Sequence, residues 1–306
     1  MNEKEIAEIR RRFNPQKTNI TKVCGCYVTP SGEIMSEFSQ PLAALTPDET
    51  ENLLSILKKT LSGTVDKNLI DIPFSNAQVL EGEEHKTLMR LRDSALCDEE
   101  ALKRVYSAII SSVREETNYL ILLALDSYDV FTYSSDGKKD DESSEQFRYF
   151  VCCVCPVKLT KPLLSFEAFD NAFHGITSVS AVSPPEFGFM FPSFDDRTGN
   201  IYDVMFYSKN PARDYSEISD KLFKADMPMP AVRQQESFCE MLEASVGEEC
   251  SLDVIQAVQD RINDIAEENK ENRDREPVTV TKNDISQVLR SCDVTEEHIE
   301  SFESNY

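Results

Sequence analysis

Residues 118–133 read NYLILLALDSYDVFTY and residues 147–159 read FRYFVCCVCPVKL, two apolar runs separated by SSDGKKDDESSEQ. The branched and aromatic side chains of both runs suit a pleated, buried surface. The segment between them, 134–146, has no apolar residue, which predicts a solvated, mobile loop. Two long strands joined in this way form a hairpin, and a hairpin places antiparallel pairing at the centre of the fold.

Working outward, the same pattern repeats. NITKVCGCYV and GEIMSEF read as strands joined across Thr29-Pro30-Ser31-Gly32, a tetrapeptide of turn formers. PEFGFMFPSF and NIYDVMFYS suggest a further pairing, with Asp195 to Asn200 as turn chemistry between them. Helices surround these strands. One covers 2–13 and stops before Asn14-Pro15, because the residue preceding proline avoids the α region. A second opens on Thr46 as N-cap, with Pro47 first in the helix and Glu49 completing a capping box. Others are expected near 83–94 and 98–115. From about 213 the pattern turns helical: Ser251, Thr281 and Thr295 stand as caps, and KENRDREP at 270–277 reads as a polar linker. The fold class is therefore α+β, a largely antiparallel sheet flanked by helices with a helical C-terminal region. The expected division is an α+β core domain over 1–230 and an acidic helical region over 231–306.

Charge narrows the function classes. Fifty-five acidic residues against 32 basic ones give a formal net charge of −23 over 306 residues. Residues 232–306 hold 19 of the acids and 7 of the bases, a net of −12. Such a surface repels phosphate backbones and anionic lipid, so neither nucleic acid nor membrane is an expected partner, whereas a protein partner is. No apolar stretch approaches the ~18 residues of a membrane span. The N-terminal helix has no secretory core, and nine cysteines without regular spacing agree with free thiols in a reducing compartment. The expected address is the cytoplasm.

The cysteines are the nearest approach to a chemical signature. Residues two apart share a strand face, so Cys24 pairs with Cys26 and Cys153 with Cys155. Were those strands neighbours, four thiolates would suit zinc. The spacing argues otherwise, since structural zinc sites use C-x₂₋₄-C on a turn and C-x-C on a strand spreads its sulfurs. The flanking Tyr149, Val151 and Val157 favour core packing, in which free cysteine behaves as a small apolar residue. CCVC at 152–155 contains adjacent and i,i+3 thiols, but no helix N-terminus follows to lower a thiol pKa as in a redox motif, and no cofactor is expected.

Other candidates are weaker. His85 and His298 read as surface positions, leaving His174 as the one imidazole near the sheet, where a dyad with Cys155 lacks any supporting motif. Asp126 follows YLILLAL at the expected end of a buried strand. With Asp195 and Asp196 it offers oxygen ligands for a divalent metal of the kind hydrolases use, although turn and strand-end roles explain all three. Phe187, Phe189 and Phe191 line one strand face, either as a partner-binding stripe or as core under helices. The Ile255, Val258, Ile262, Ile265 spacing suits a short coiled-coil seam or packing on the body. No Walker loop or GxGxxG is present.

The phrases CPVKLTKP, PEFGFMFPSFDDRTGNIYDVMFYSKN, NPQKTNITKVCGCYV and GEECSLDVIQAVQ together resemble a bacterial family known only as domain of unknown function 4317, over nearly the whole chain. The resemblance implies a bacterial intracellular protein and carries no activity, ligand or catalytic residue. The expectation from the residues is a binding protein without catalysis. The alternatives are a divalent-metal hydrolase through the aspartates or a zinc-stabilised fold through the paired cysteines.

Overall fold

The computed structural model describes residues 1–133, 139–195, 197–228, 231–272 and 280–305. They form two compact units, Met1–Pro230 and Ala231–Tyr306. In chain order the first unit contains α1 (Glu3–Arg10), β1 (Lys22–Val28), β2 (Ile34–Pro41), α2 (Pro47–Lys58), β3 (Leu69–Pro73), α3 (Asn76–Glu81), α4 (Glu83–Asp93), α5 (Glu99–Ser112), β4 (Tyr119–Tyr133) and β5 (Lys139–Leu159). It continues with β6 (Leu163–Glu167), β7 (Ala172–Ile176), β8 (Ser180–Val182), β9 (Phe187–Phe191), β10 (Ser193–Asp195), β11 (Thr198–Asn200), β12 (Asp203–Ser208) and α6 (Ser216–Phe223). The second unit holds α7 (Ala231–Val246), α8 (Leu252–Asn272), α9 (Lys282–Ser291) and α10 (Glu296–Asn305).

The long hairpin is the middle of the sheet. β4 and β5 pair antiparallel from Tyr119–Pro156 outward, and the strand order is β2-β1-β4-β5-β9-β12-β3, with β8 added to the far end of β5. Every pairing in this sheet is antiparallel. One expectation changes here. β5 begins at Lys139, so 139–146 is strand rather than loop, and the remainder of the expected loop, 134–138, lies outside the described residues. The hairpin register continues through polar sequence because backbone pairing asks nothing of the side chains.

Each face of the sheet carries its own apolar layer. On one, Cys24, Cys26, Leu123, Phe150, Cys152 and Phe189 pack under α4, α5 and α6, whose Leu91, Val105, Ile109 and Phe223 are buried. On the other, Leu122, Tyr149, Val151, Cys153, Cys155 and Met190 meet Ile6 and Ile9 of α1 and Leu54 and Leu57 of α2. The unit is thus helix, sheet, helix. At Gly188 a Cβ would stand 2.8 Å from Thr60 Cγ2 and 2.5 Å from the Cys152 carbonyl oxygen, so the short turn after α2 rests directly on β9. The α2 N-terminus follows its sequence: the Glu49 amide donates to Thr46 Oγ1, and Glu49 Oε2 accepts from the Thr46 amide at 2.8 Å.

The second unit closes on a core of its own, in which Leu242, Val246, Val254, Val258, Leu289, Ile299 and Phe302 are buried. The seam of α8 that faces inward runs through Val254, Val258 and Ile265, and Ile255 is only half-buried. That apolar stripe is used within the unit, not for a coiled coil. α8 extends to Asn272, so 270–272 of the expected linker is helix, and its remainder, 273–277, lies outside the described residues. Among the described residues no helix is long and apolar enough to cross a membrane.

Candidate interaction surface

The cysteine question resolves by register. β4 stands between β1 and β5, and the ladder aligns Cys24, Leu123, Cys152 and Phe189 on one face and Gly25, Leu122, Cys153 and Gly188 on the other. Cys24 and Cys26 therefore open on the opposite face from Cys153 and Cys155, and the four thiols cannot surround one ion. Cys153 and Cys155 do approach each other, Sγ to Sγ 3.7 Å, as free thiols in the core. Burial pushes Cys24 up to about 11 and Cys26 up to about 12. Cys155 is raised first by its bond with Cys153 and then by burial. A thiol held protonated in this way is the reverse of an activated nucleophile.

Asp126 is not at a strand end. It lies inside β4, 1 % exposed, and its carboxylate accepts from the Asn19 amide at 2.7 Å, Tyr149 Oη at 3.0 Å and Arg12 Nε at 3.1 Å. The bonds tie the segment that follows α1 to the sheet centre. Beside them Tyr128 Oη donates to Glu8, which also receives Arg197 Nη1 at 2.9 Å. Asp195 ends β10 at the tight β10–β11 pairing, and Asp196 lies outside the described residues. Asp195 sits in the field of Asp71 and the Met1 ammonium, which are bonded to each other. Burial, and after it the neighbouring Asp71, raise the pKa of Asp203. Among the described residues no three His, Cys, Asp or Glu side chains converge as a metal site.

The histidines also move from their expected places. His85 is buried, Nε2 is 2.9 Å from the Ile201 carbonyl oxygen, and its ring meets Phe74 and Phe191 edge-on. Burial lowers its pKa, so a neutral ring completes an aromatic cluster. Its EGEEHK setting hid this, because a helix with acids on its outer side still has an inner side. His298 is half-buried against Glu249, 3.0 Å away. His174 is exposed and bonded to Asp170 at 2.7 Å, while Cys155 is in the core, so that dyad has no catalytic form. Phe187, Phe189 and Phe191 are fully buried, Phe187 against Tyr215, Phe189 against Phe223 of α6 and Phe191 against Phe74 and His85, which removes them as a partner surface.

The exposed apolar surface lies where the sequence reading placed no site. β6 and β7 form a two-stranded sheet of their own, an arm inserted between β5 and β8. Leu164, Phe166, Phe173 and Gly175 share one face of the arm by their pairing, with Phe169 at its tip. Leu164 is 76 %, Phe169 85 % and Phe173 72 % exposed. A Cβ built on Gly175 meets nothing within 4 Å, which shows how open that strand is. Single exposed apolar residues are ordinary, but a contiguous set on one hairpin face is not. At the arm's root, beside Val182, runs a separate apolar groove of about 290 Å³ between α2 and the sheet, lined by Val23, Phe38, Leu53, Ile56, Leu120 and Leu122. The available signal was the alternation LLSFEAF–DN–AFHGI, a hairpin pattern whose apolar face has no matching helix in the sequence.

No curated protein matches the chain. A family model matches residues 1–306, the whole chain, and on that match the protein belongs to the family described as domain of unknown function DUF4317.

Proposed function

We propose that this is a binding protein without catalysis, which acts through the β6–β7 arm. The observation that carries the reading is the contrast between polar and apolar groups. The polar constellation with most chemistry in it, Arg12–Asp126–Tyr149, is spent on internal bonds, and the sheet thiols are buried. The arm instead leaves leucine and phenylalanine faces in water. Each fully exposed phenylalanine is worth about 1.5–3 kcal/mol when a partner covers it. Such a surface is costly to keep without a use.

A protein partner fits better than lipid. Glu167 and Asp170 stand at the tip beside Phe169, and inserting the tip into hydrocarbon would bury both carboxylates. The test is native size chromatography of cell extracts containing the chain or its Leu164→Ser/Phe166→Ser/Phe173→Ser variant. The proposal expects the natural chain in a species larger than a monomer and the variant as a monomer. Natural chain eluting only as a monomer would overturn it.

A further inference from the structure

We infer that the partner of the arm is a second copy of this chain, paired about a two-fold axis so that each arm tip lies on the other copy's arm root. The inference rests on the arm being the binding surface. Three features of the arm and its surroundings select this occupant.

The first is that both halves of a self-complementary contact sit side by side on one chain. The arm supplies a protruding apolar element, and the groove at its root supplies an apolar recess with Gln40 as its polar wall. A two-fold contact requires this: whatever patch meets the partner must be met by the same patch in return, and the contact closes with no open end. The groove is small for a ligand site, which usually runs about 300–1,000 Å³. Its size suits a large side chain such as Phe169 entering from the partner. Five-residue strands give the arm a reach of roughly 17 Å, so the tip of one copy and the root of the other are brought together while the Leu164, Phe166, Phe173 faces pack on each other between them.

Charge is the second. In a chain of net charge −23, residues 157–182 hold Lys158, Lys161, Glu167 and Asp170 and sum to zero. This is a stretch where two copies meet without the repulsion carried by the rest of the surface. Its charges are also ordered: both lysines are at the root and both carboxylates near the tip. Two arms laid tip to root place Glu167 and Asp170 of each beside Lys158 and Lys161 of the other. A two-fold pair is complementary in charge, whereas a parallel pair would set like against like.

Area is the third. With about 200 Å² for an exposed phenylalanine, the aromatic rings alone present roughly 400 Å² per arm. Doubled by symmetry this is about 800 Å², and Leu164 with the covered groove brings the contact toward the ~1,200 Å² at the lower end of specific interfaces.

Sedimentation equilibrium of the purified full chain tests the inference. A dimer is expected at tens of micromolar, with Phe169→Ser in the tip and Ile56→Glu in the groove each raising the dissociation constant at least tenfold. Lys161→Glu is expected to weaken the dimer and Lys161→Glu/Glu167→Lys to restore it, a rescue that a folding defect would not give. Melting temperatures of the Phe169→Ser variant and the natural chain should agree at concentrations low enough for both to be monomeric, since the side chain is exposed in the monomer, and the natural chain alone should gain stability as concentration rises. A dimer indifferent to all these variants would place the contact on another face and overturn the inference. A purified monomer whose arm still enters a larger species in cell extracts would overturn it too, yet leave the arm a binding surface for a different protein. A monomer in both settings would remove the inference and the binding reading together.

Discussion

At the scale of the residue, identity and environment divide the work. Cys24, Cys26, Cys152, Cys153 and Cys155 are buried, and Cys97 is exposed. A thiol reagent at neutral pH is therefore expected to modify Cys97 quickly and the five sheet thiols only at the rate of unfolding, as read by mass spectrometry of labelled peptides. The raised thiols also make stability depend on pH. Below about 9, the ordinary thiol value, native and unfolded states both hold their protons and the stabilising contribution is complete. As pH rises from there through about 11 for Cys24 and about 12 for Cys26, the unfolded chain releases protons that the native chain keeps, and the contribution is lost. Each thiol contributes a slope near 1.4 kcal/mol per pH unit in that window, which denaturant titrations at pH 8 and 10 will detect. Asp126 is the other residue with a sharp consequence. Asp126→Ala leaves Arg12 and Tyr149 without their acceptor and is expected to cost about 3 kcal/mol, against about 1 kcal/mol for Tyr149→Phe. Unchanged denaturation midpoints would contradict the bonding described for β4. What the sequence could show of these residues was their type and their shared faces. It could not show that β4 separates β1 from β5 or in what register, because both depend on contacts distant in sequence, and order and register together determine where the thiols point.

At the scale of the element, local signals were strong where local chemistry suffices. Thr46, Pro47 and Glu49 announced α2, and Thr281 with Asp284 caps α9 in the same manner. Thr46→Ala is expected to cost about 1 kcal/mol in a denaturation curve, whereas Phe173→Ser in the arm should leave the midpoint of the monomer unchanged within about 0.5 kcal/mol. If the arm variant were the more damaging of the two, the arm would be part of the folding core and not a free surface. The sequence reading failed where an element's role depends on what covers it. The Phe187, Phe189, Phe191 stripe and the Leu164, Phe166, Phe173 face are equally apolar on paper. α6, Tyr215 and His85 of α4 cover the first, and among the described residues nothing in its own unit covers the second. His85 shows the same limit, since its helix neighbours are acidic while its ring points inward at Phe74 and Phe191.

At the scale of the whole molecule, charge and apolar surface are kept apart. The second unit carries a net −12 of the chain's −23 on a small helical core that contains its own buried residues. That separation predicts that 231–306 produced alone gives a cooperative thermal transition and a helical circular dichroism spectrum; a disordered spectrum would contradict it. The arm belongs to the first unit, and its neutral stretch interrupts an otherwise repulsive surface. On the proposed function the arm meets another protein, and a photoreactive phenylalanine analogue placed at position 169 in the cell tests this on the chain itself. Irradiation is predicted to yield a discrete covalent adduct at the tip; recovery of the free chain alone, with the analogue fully incorporated, would contradict the account.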